Sequence, residues 1–340
     1  MLQAYMPEPG KICYHEVEVP PVSAHQLKLK MYKIGVCGSD IHVWHGRHPY
    51  TSYPVVQGHE VTAVVEEVGS AAEGFSVGDM VTVQPQVVCG KCYPCTHGMY
   101  NDCNELKVMG FQTTGMASEY FVVDAEKCLI VPDGISMDYA AMIEPLAVAV
   151  HAVRRFGDPK GRKAFVIGGG PIGNLVAQVL IALGAEKVLL SEVSEYRLDT
   201  ARQCGIQTVD PTKIAVQDAI FEQFGPDQAD VIFECVGNAN TVQQTIELAR
   251  KGSDIIIVGV VPDLCSVNMG FVQDHELRIS GTAMYRVEDY REAIDLIAND
   301  RIRLDLLITH HVPFRQYADA YRLVETEKDK VMKIIIDFDS

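Results

Sequence analysis

Cys37, Ser39 and His42 fall within a six-residue window, and a His59–Glu60 pair follows seventeen residues after His42. Thiolate, imidazole and carboxylate are the ligand types zinc accepts, and a catalytic zinc takes about three of them while one position stays open for a reacting molecule. Glu144 is a second acid of interest. It stands inside an apolar run of helical spacing, is followed by Pro145, and would be costly to bury unless paired or metal-bound. The expected ligand set is therefore Cys37, His59 and a carboxylate, with Glu144 and Glu60 as the two candidates.

A different donor set lies downstream. Cys89, Cys92 and Cys95 are spaced three apart and Cys103 follows eight later. Four thiolates at this spacing close a tetrahedron around zinc with no free position, which is a structural site. A loop with so little apolar content would draw its local folding free energy from the metal. With no export signal at the start of the chain, such clustering points to metal rather than to disulfides. Cys13, Cys128, Cys204, Cys235 and Cys265 are scattered and are expected mainly to fill interior space.

The third element is a glycine loop, Gly168-Gly169-Gly170-Pro171-Ile172-Gly173. It follows an apolar strand and opens a helix, the context that a dinucleotide-binding loop requires. Gly168 allows the tight turn, Gly170 lets the backbone approach a pyrophosphate, and Gly173 lets helix and strand pack closely. Glu192 ends the next strand, where an acid accepts both ribose hydroxyls and repels a phosphate on one of them. Val193–Tyr196 offers no base to hold that phosphate, so NAD is favoured over NADP. Cys235 and Val258 end two further strands at the carboxyl edge, where cofactors lie in such sheets.

These groups need elements to hold them. Up to about Phe121 the chain reads as short alternating strands, among them Gln26–Tyr32, Val61–Val68 and Met80–Val83, broken by turns. This is a compact all-β or barrel-like unit from which the cysteine lobe projects. Tyr139–Val153 is apolar at helical spacing. From Lys163 apolar strands (Ala164–Ile167, Lys187–Ser191, Asp230–Glu234, Ile255–Val258) alternate with helices (Pro171–Leu183, Tyr196–Gln203), and Tyr290–Asn299 is one more helix. That alternation means an α/β unit with a parallel sheet covered on both faces. A final strand is expected over Val331–Phe338. The net charge of −16 argues against a nucleic-acid partner. With no leader and no apolar run approaching the roughly 20 residues a bilayer demands, a cytoplasmic protein without a membrane partner is expected.

In order and over essentially its whole length, the chain resembles the zinc-dependent medium-chain alcohol dehydrogenases. The resemblance rests on Cys-Gly-Ser-Asp-Ile-His, Gly-His-Glu, the four-cysteine lobe, Glu144-Pro145-Leu146, the glycine loop with its acid, and the closing strand. It is nearest to the sorbitol, threonine and sugar-acid dehydrogenase group. The resemblance implies a GroES-like β-rich catalytic domain over residues 1–150, a Rossmann doubly wound parallel-sheet domain over 151–287, and a return of 288–340 to the first domain. It also implies catalytic and structural zinc, NAD, and a homodimer or homotetramer. Its proton relay runs from Ser39 through the nicotinamide ribose to His42, Arg197 lies beside the adenosine, and Ser280–Arg286 lies near the nicotinamide.

The loop Trp44–Tyr53, rich in aromatic and basic residues, is expected to border the substrate and to suit a polyhydroxylated or anionic sugar. The expected reaction is oxidation of a secondary hydroxyl on a polyol or sugar acid. The alternatives are L-threonine 3-dehydrogenase and, from another class, a non-catalytic dinucleotide-binding protein. The Cys/His/Glu set also admits manganese, iron or cobalt.

Overall fold

Alternate residues of the strand Gln26–Gly35 point Leu27, Leu29 and Met31 into a core where they are almost completely buried, the period-two pattern of a strand with one face inward. In the computed structural model, which describes residues 1–261 and 264–338, this strand is the hub of the first of two units. That unit comprises residues 1–144 and the segment from Ile308 onward. Its seven-stranded sheet runs in the order Ile308–Pro313, Lys333–Asp337, Gln26–Gly35, Glu60–Val68, Met80–Val83 and Cys128–Ile130, with Tyr120–Asp124 also paired to the hub strand. The closing strand pairs antiparallel with the hub through Ile335–Gly35, Ile336–Ile34 and Asp337–Lys33. The end of the chain is thereby placed beside its first quarter.

The all-β expectation for this unit needs enlarging. The stretch up to Phe121 contains the helix Gly38–Trp44 and a separate hairpin of Leu2–Glu8 and Lys11–Glu16, and beyond it the unit adds the helices Met137–Ala141 and Tyr317–Glu327. The single helix expected over Tyr139–Val153 is two. Met137–Ala141, capped by Ser136 accepting from Tyr139 N at 3.2 Å, ends at Met142, and Ile143–Phe156 begins immediately after. Pro145 explains the break: it lacks an N–H and is tolerated in the first turn of a helix but not in its interior.

The second unit, Pro145–Leu307, is built on six parallel strands. Their order is Gln207–Val209, Lys187–Ser191, Lys163–Ile167, Val231–Glu234, Asp254–Ile257 and Arg278–Gly281. The order reverses between the first and fourth strands in sequence, the switch point of a doubly wound sheet. One of its cores gathers Phe165, Leu189, Ile220, Ile232, Ile246 and Ile255, all nearly or fully buried. No helix among the described residues is long and apolar enough to cross a membrane.

Candidate active site

Cys37 caps the helix Gly38–Trp44, and its backbone N–H donates to Asp40 Oδ2 at 2.9 Å, half of a capping box. Asp40 is completely buried, and its other oxygen accepts from Gln57 Nε2 at 3.0 Å. Gln57 in turn accepts from the Tyr321 hydroxyl at 2.7 Å. This chain of buried polar groups ties the cap to the C-terminal helix Tyr317–Glu327.

His59 and Glu60 reach the same point from the start of the strand Glu60–Val68, where Glu60 lies opposite Gly35 in the ladder. One donor atom each from Cys37, His59 and Glu60 lies within 4.8 Å of the others. Glycine at 35 leaves room for this carboxylate, because a Cβ at that position would displace Glu60 Oε2 from where it sits. Lys333 Nζ lies 2.7 Å from both Glu60 oxygens and donates to Val36 O at 3.1 Å.

The electrostatics favour a cation. Burial alone would lower the pKa of His59, yet Asp40, Cys37 and Glu144 raise it well above the usual imidazole value. Burial likewise acts to lower that of Lys333, and Glu60, Cys37 and Glu144 outweigh it. His59 Nδ1 is buried and has no hydrogen-bond partner among the described residues, with Asp40 Oδ1 at 3.7 Å. Thiol, imidazole and carboxylate converging where the surroundings call for positive charge is a donor set that fits zinc. Glu144 stands outside this close group. It is buried in the first turn of Ile143–Phe156 and is felt electrostatically by both His59 and Lys333. Ser39 is half-buried and His42 exposed, three residues apart on one short helix, and such residues share a face.

Two side chains at the start of the loop after this helix turn to the C-terminal helix. Trp44 is buried, stacks on Tyr321 with centroids 5.0 Å apart, and donates from Nε1 to Glu325 at 3.1 Å. His45 Nε2 lies 2.8 Å from the same oxygen. These two side chains hold the C-terminal helix. His48 stacks on Phe111 at 4.7 Å, and Phe111 lies 4.9 Å from the His59 ring.

In the lobe, Cys89, Cys92, Cys95 and Cys103 bring their sulfurs within 4.8 Å of one another. Backbone N–H groups of Cys89 and Glu105 point at Cys103 Sγ (3.3 and 3.4 Å), and that of Asn104 at Cys92 Sγ (3.5 Å). The Asn104 N–H and further backbone and thiol donors hold the Cys92 thiol down to about 6. Backbone amides aimed at clustered sulfurs suit thiolates around a metal ion.

In the second unit, Gly168 has φ +101° and a side chain there would sit 2.7 Å from Val236 Cγ2. A side chain on Gly173 would collide with Gly168 O. Gly170, the N-cap of Pro171–Ala182, is different: nothing lies within 4 Å of where its Cβ would be. No internal contact demands glycine at 170, and open space at a helix N-terminus is a cradle for phosphate. Pro171 takes the first helical position, where a missing N–H is harmless, and Ile172 is half-buried beside it.

Glu192 accepts from Gly169 N (2.8 Å), Val193 N (2.7 Å) and Ser194 N (3.0 Å), with Arg197 Nη1 at 3.9 Å. Cys235 N donates to Ile167 O and Val258 N to Glu234 O, both at 2.8 Å. The Cys235 thiol is pushed up by burial. Glu234, passed over in the sequence, is fully buried and accepts from Val236 N, Gly237 N and Thr241 Oγ1, so it fixes the loop after its strand. Asp40 and Lys333 were also missed. A lone lysine in the apolar strand Lys333–Asp337 is the signal that would have marked the latter.

Comparison with known proteins agrees with this architecture. The alcohol dehydrogenase GroES-like domain model matches residues 23–133 and the zinc-binding dehydrogenase model matches residues 171–299. A 2-dehydro-3-deoxy-L-galactonate 5-dehydrogenase from Pseudoalteromonas atlantica is 34% identical over 88% of this chain and 87% of its own. A sorbitol dehydrogenase from Halalkalibacterium halodurans is 33% identical over 96% and 97%. Among solved structures, an alcohol dehydrogenase from Escherichia coli complexed with NADH superposes with a TM-score of 0.92 at 30% identity, covering 99% of both chains. A zinc-binding dehydrogenase from Sinorhizobium meliloti bound to NADP gives 0.91 at 30% identity and the same coverage. The chain belongs to the zinc-binding medium-chain alcohol dehydrogenase family, in its polyol and sugar-acid dehydrogenase group.

Proposed function

We propose that this enzyme oxidises a secondary hydroxyl of a polyol or sugar acid to the ketone, with zinc at Cys37, His59 and a carboxylate and with NAD as hydride acceptor. The observation that carries the reading is the convergence of those donors within 4.8 Å in a chain whose relatives act, by name, on galactonate derivatives and sorbitol. Glu60 is the carboxylate already in the group, and Glu144 is its alternate. When bound, zinc would supply Lewis acidity that lowers the pKa of a substrate hydroxyl, and the nicotinamide would supply the hydride chemistry. Lys333 holds Glu60 in place, and Asp40 fixes the cap on which Cys37 stands. Ser39 accepts the hydroxyl proton as it gives up its own, and His42, exposed on the same helix, passes a proton toward solvent.

NAD is preferred over NADP because a carboxylate at Glu192, after the second strand of the sheet, would accept the ribose hydroxyls and repel a 2′-phosphate. Gly168, Gly170 and Gly173 shape the pyrophosphate cradle, with Cys235, Val258 and Arg197 around it. The four-cysteine lobe holds a second, structural zinc. A homodimer is expected through the edge strand Arg278–Gly281. The cytoplasm is the expected location, since four cysteines clustered at metal-ligand spacing suit a reducing compartment better than disulfides do.

The test is NAD reduction across sugar alcohols, aldonates and threonine, with wild type and Cys37→Ala. Turnover of a polyol or aldonate that is abolished in the variant supports the proposal. Activity confined to threonine assigns the other member of the group, and NADH binding without turnover of any hydroxylated compound would mean a non-catalytic protein.

A further inference from the structure

A glutamine buried two residues before a candidate metal ligand needs a reason, because an amide in the interior is costly unless its groups are paired. Gln57 is 2% exposed. Its backbone is held separately, with Gln57 O accepting from Ala117 N at 2.9 Å, so the side chain is free to serve the site. Oε1 accepts from the Tyr321 hydroxyl at 2.7 Å and Nε2 donates to Asp40 Oδ1 at 3.0 Å. This orientation pairs every donor with an acceptor. Asp40 Oδ2 already accepts from Cys37 N at 2.9 Å, and turning the amide round would set Gln57 Oε1 against Asp40 Oδ1.

The Asp40 oxygen that Gln57 holds is also the one 3.7 Å from His59 Nδ1, an atom with no hydrogen-bond partner among the described residues. An imidazole that gives one nitrogen to a metal donates from the other to a carboxylate or carbonyl, which fixes its tautomer and ring orientation. Gln57 therefore decides where that acceptor stands. Tyr321 is itself fixed: it is fully buried and stacks on Trp44 and Tyr317, with centroids 5.0 and 5.6 Å away. Burial raises its pKa well above that of an ordinary phenol, so the hydroxyl keeps its proton and donates.

We infer that Gln57 and Tyr321 are positioning residues of the metal centre: the Tyr321 hydroxyl orients the Gln57 amide, and the amide holds Asp40 Oδ1 toward His59. The inference rests on the function proposed above. The helix Tyr317–Glu327 then bears on a metal ligand without supplying one.

Two variants that preserve shape test it. Tyr321→Phe keeps the stacked ring and removes the hydroxyl, and Gln57→Met keeps the length of the side chain and removes the amide. Zinc affinity at the site that Cys37→Ala abolishes, read by chelator competition, should fall about tenfold in Gln57→Met, the lower end of the loss for a partner of a metal ligand. It should fall less in Tyr321→Phe. The double variant should match Gln57→Met alone, because the hydroxyl acts through the amide. In the cobalt-substituted protein the visible bands that depend on Cys37 should shift in both variants, and kcat should fall while KM for NAD holds. A lower melting temperature with affinity and bands unmoved would make the pair packing only, and additive losses would separate the two residues. Either result overturns the inference. The metal readouts need no substrate, which separates the inference from the parent reading. Shifted bands with no turnover of any polyol or aldonate by wild type would sink the proposed reaction and keep the positioning role. Unshifted bands in an enzyme that does turn over sink the positioning role alone, and a wild type with no Cys37-dependent metal sinks both.

Discussion

Lys333 Nζ lies 2.7 Å from each carboxylate oxygen of Glu60, a residue 273 positions earlier, and both side chains are almost wholly buried. The ammonium is the counter-charge that lets a carboxylate sit beside Cys37 and His59. Removing it strands a buried anion, which typically costs about 3–5 kcal/mol. Lys333→Met is therefore expected to lower the melting temperature of the metal-free protein markedly. Added zinc should recover more stability in the variant than in wild type, because the ion replaces the lost positive charge. Thermal melts with and without zinc decide this, and equal zinc-induced shifts in the two proteins would contradict it. Glu60→Gln in the Lys333→Met background should restore part of the loss, since the stranded charge is gone.

The two donor groups should separate in metal analysis and in phenotype. Wild type is expected to carry about two zinc ions per chain, one in a closed site and one in an open site. Cys103→Ser should lose one and melt at lower temperature, because the lobe draws its order from the metal. Cys37→Ala should also lose one, yet keep most of its stability and lose turnover. Elemental analysis paired with thermal melts checks both, and a Cys103→Ser variant as stable as wild type would count against a structural metal in the lobe.

What could be read in the sequence was whatever is local. The glycine loop, the cysteine spacing and the alternation in Gln26–Tyr32 are each decided by neighbours in the chain, so they survive translation into a fold. Lys333 and Asp40 are not of that kind. Lys333 matters because the closing strand pairs with the hub strand across some three hundred residues, and no periodicity reports such a pairing. Asp40 sat inside a motif already singled out, but its role depends on Gln57 and Tyr321, which come from other elements. Trp44 is similar: its position after the candidate ligand suggests a substrate wall, and its contacts with Glu325 and Tyr321 come from the helix Tyr317–Glu327, which no local pattern reports. The break at Met142 is legible from Pro145, although the run around it keeps apolar residues at helical spacing on both sides of Glu144.

Cofactor choice should turn on Glu192. Its carboxylate gathers three backbone N–H groups and stands 3.9 Å from Arg197 Nη1. Glu192→Ser removes the repulsion toward a 2′-phosphate and leaves Arg197 free to pair with one, a charge-assisted contact. The ratio of kcat/KM for NADP to that for NAD is expected to rise at least about tenfold. Arg197→Ala added to Glu192→Ser should cancel the gain for NADP without restoring NAD. A ratio unmoved by Glu192→Ser would place the discrimination elsewhere.

The edge strand Arg278–Gly281 ends the six-stranded sheet and, among the described residues, pairs on one side only, with Asp254–Ile257. Exposed apolar side chains gather on it and on the chain leading to it: Ile279 (41% exposed), Phe271 (40%), Met269 (60%) and Leu264 (101%). An unpaired edge flanked by apolar residues invites another strand, and the symmetric solution is the same strand of a second copy. A lysine on an edge strand blocks such pairing. Ile279→Lys is therefore expected to convert a wild-type dimer, or a tetramer built from it, into a smaller species by light scattering, with NADH affinity retained because the glycine loop is untouched. A wild-type chain that scatters as a monomer, or an Ile279→Lys variant of unchanged mass, would rule out this edge as the interface.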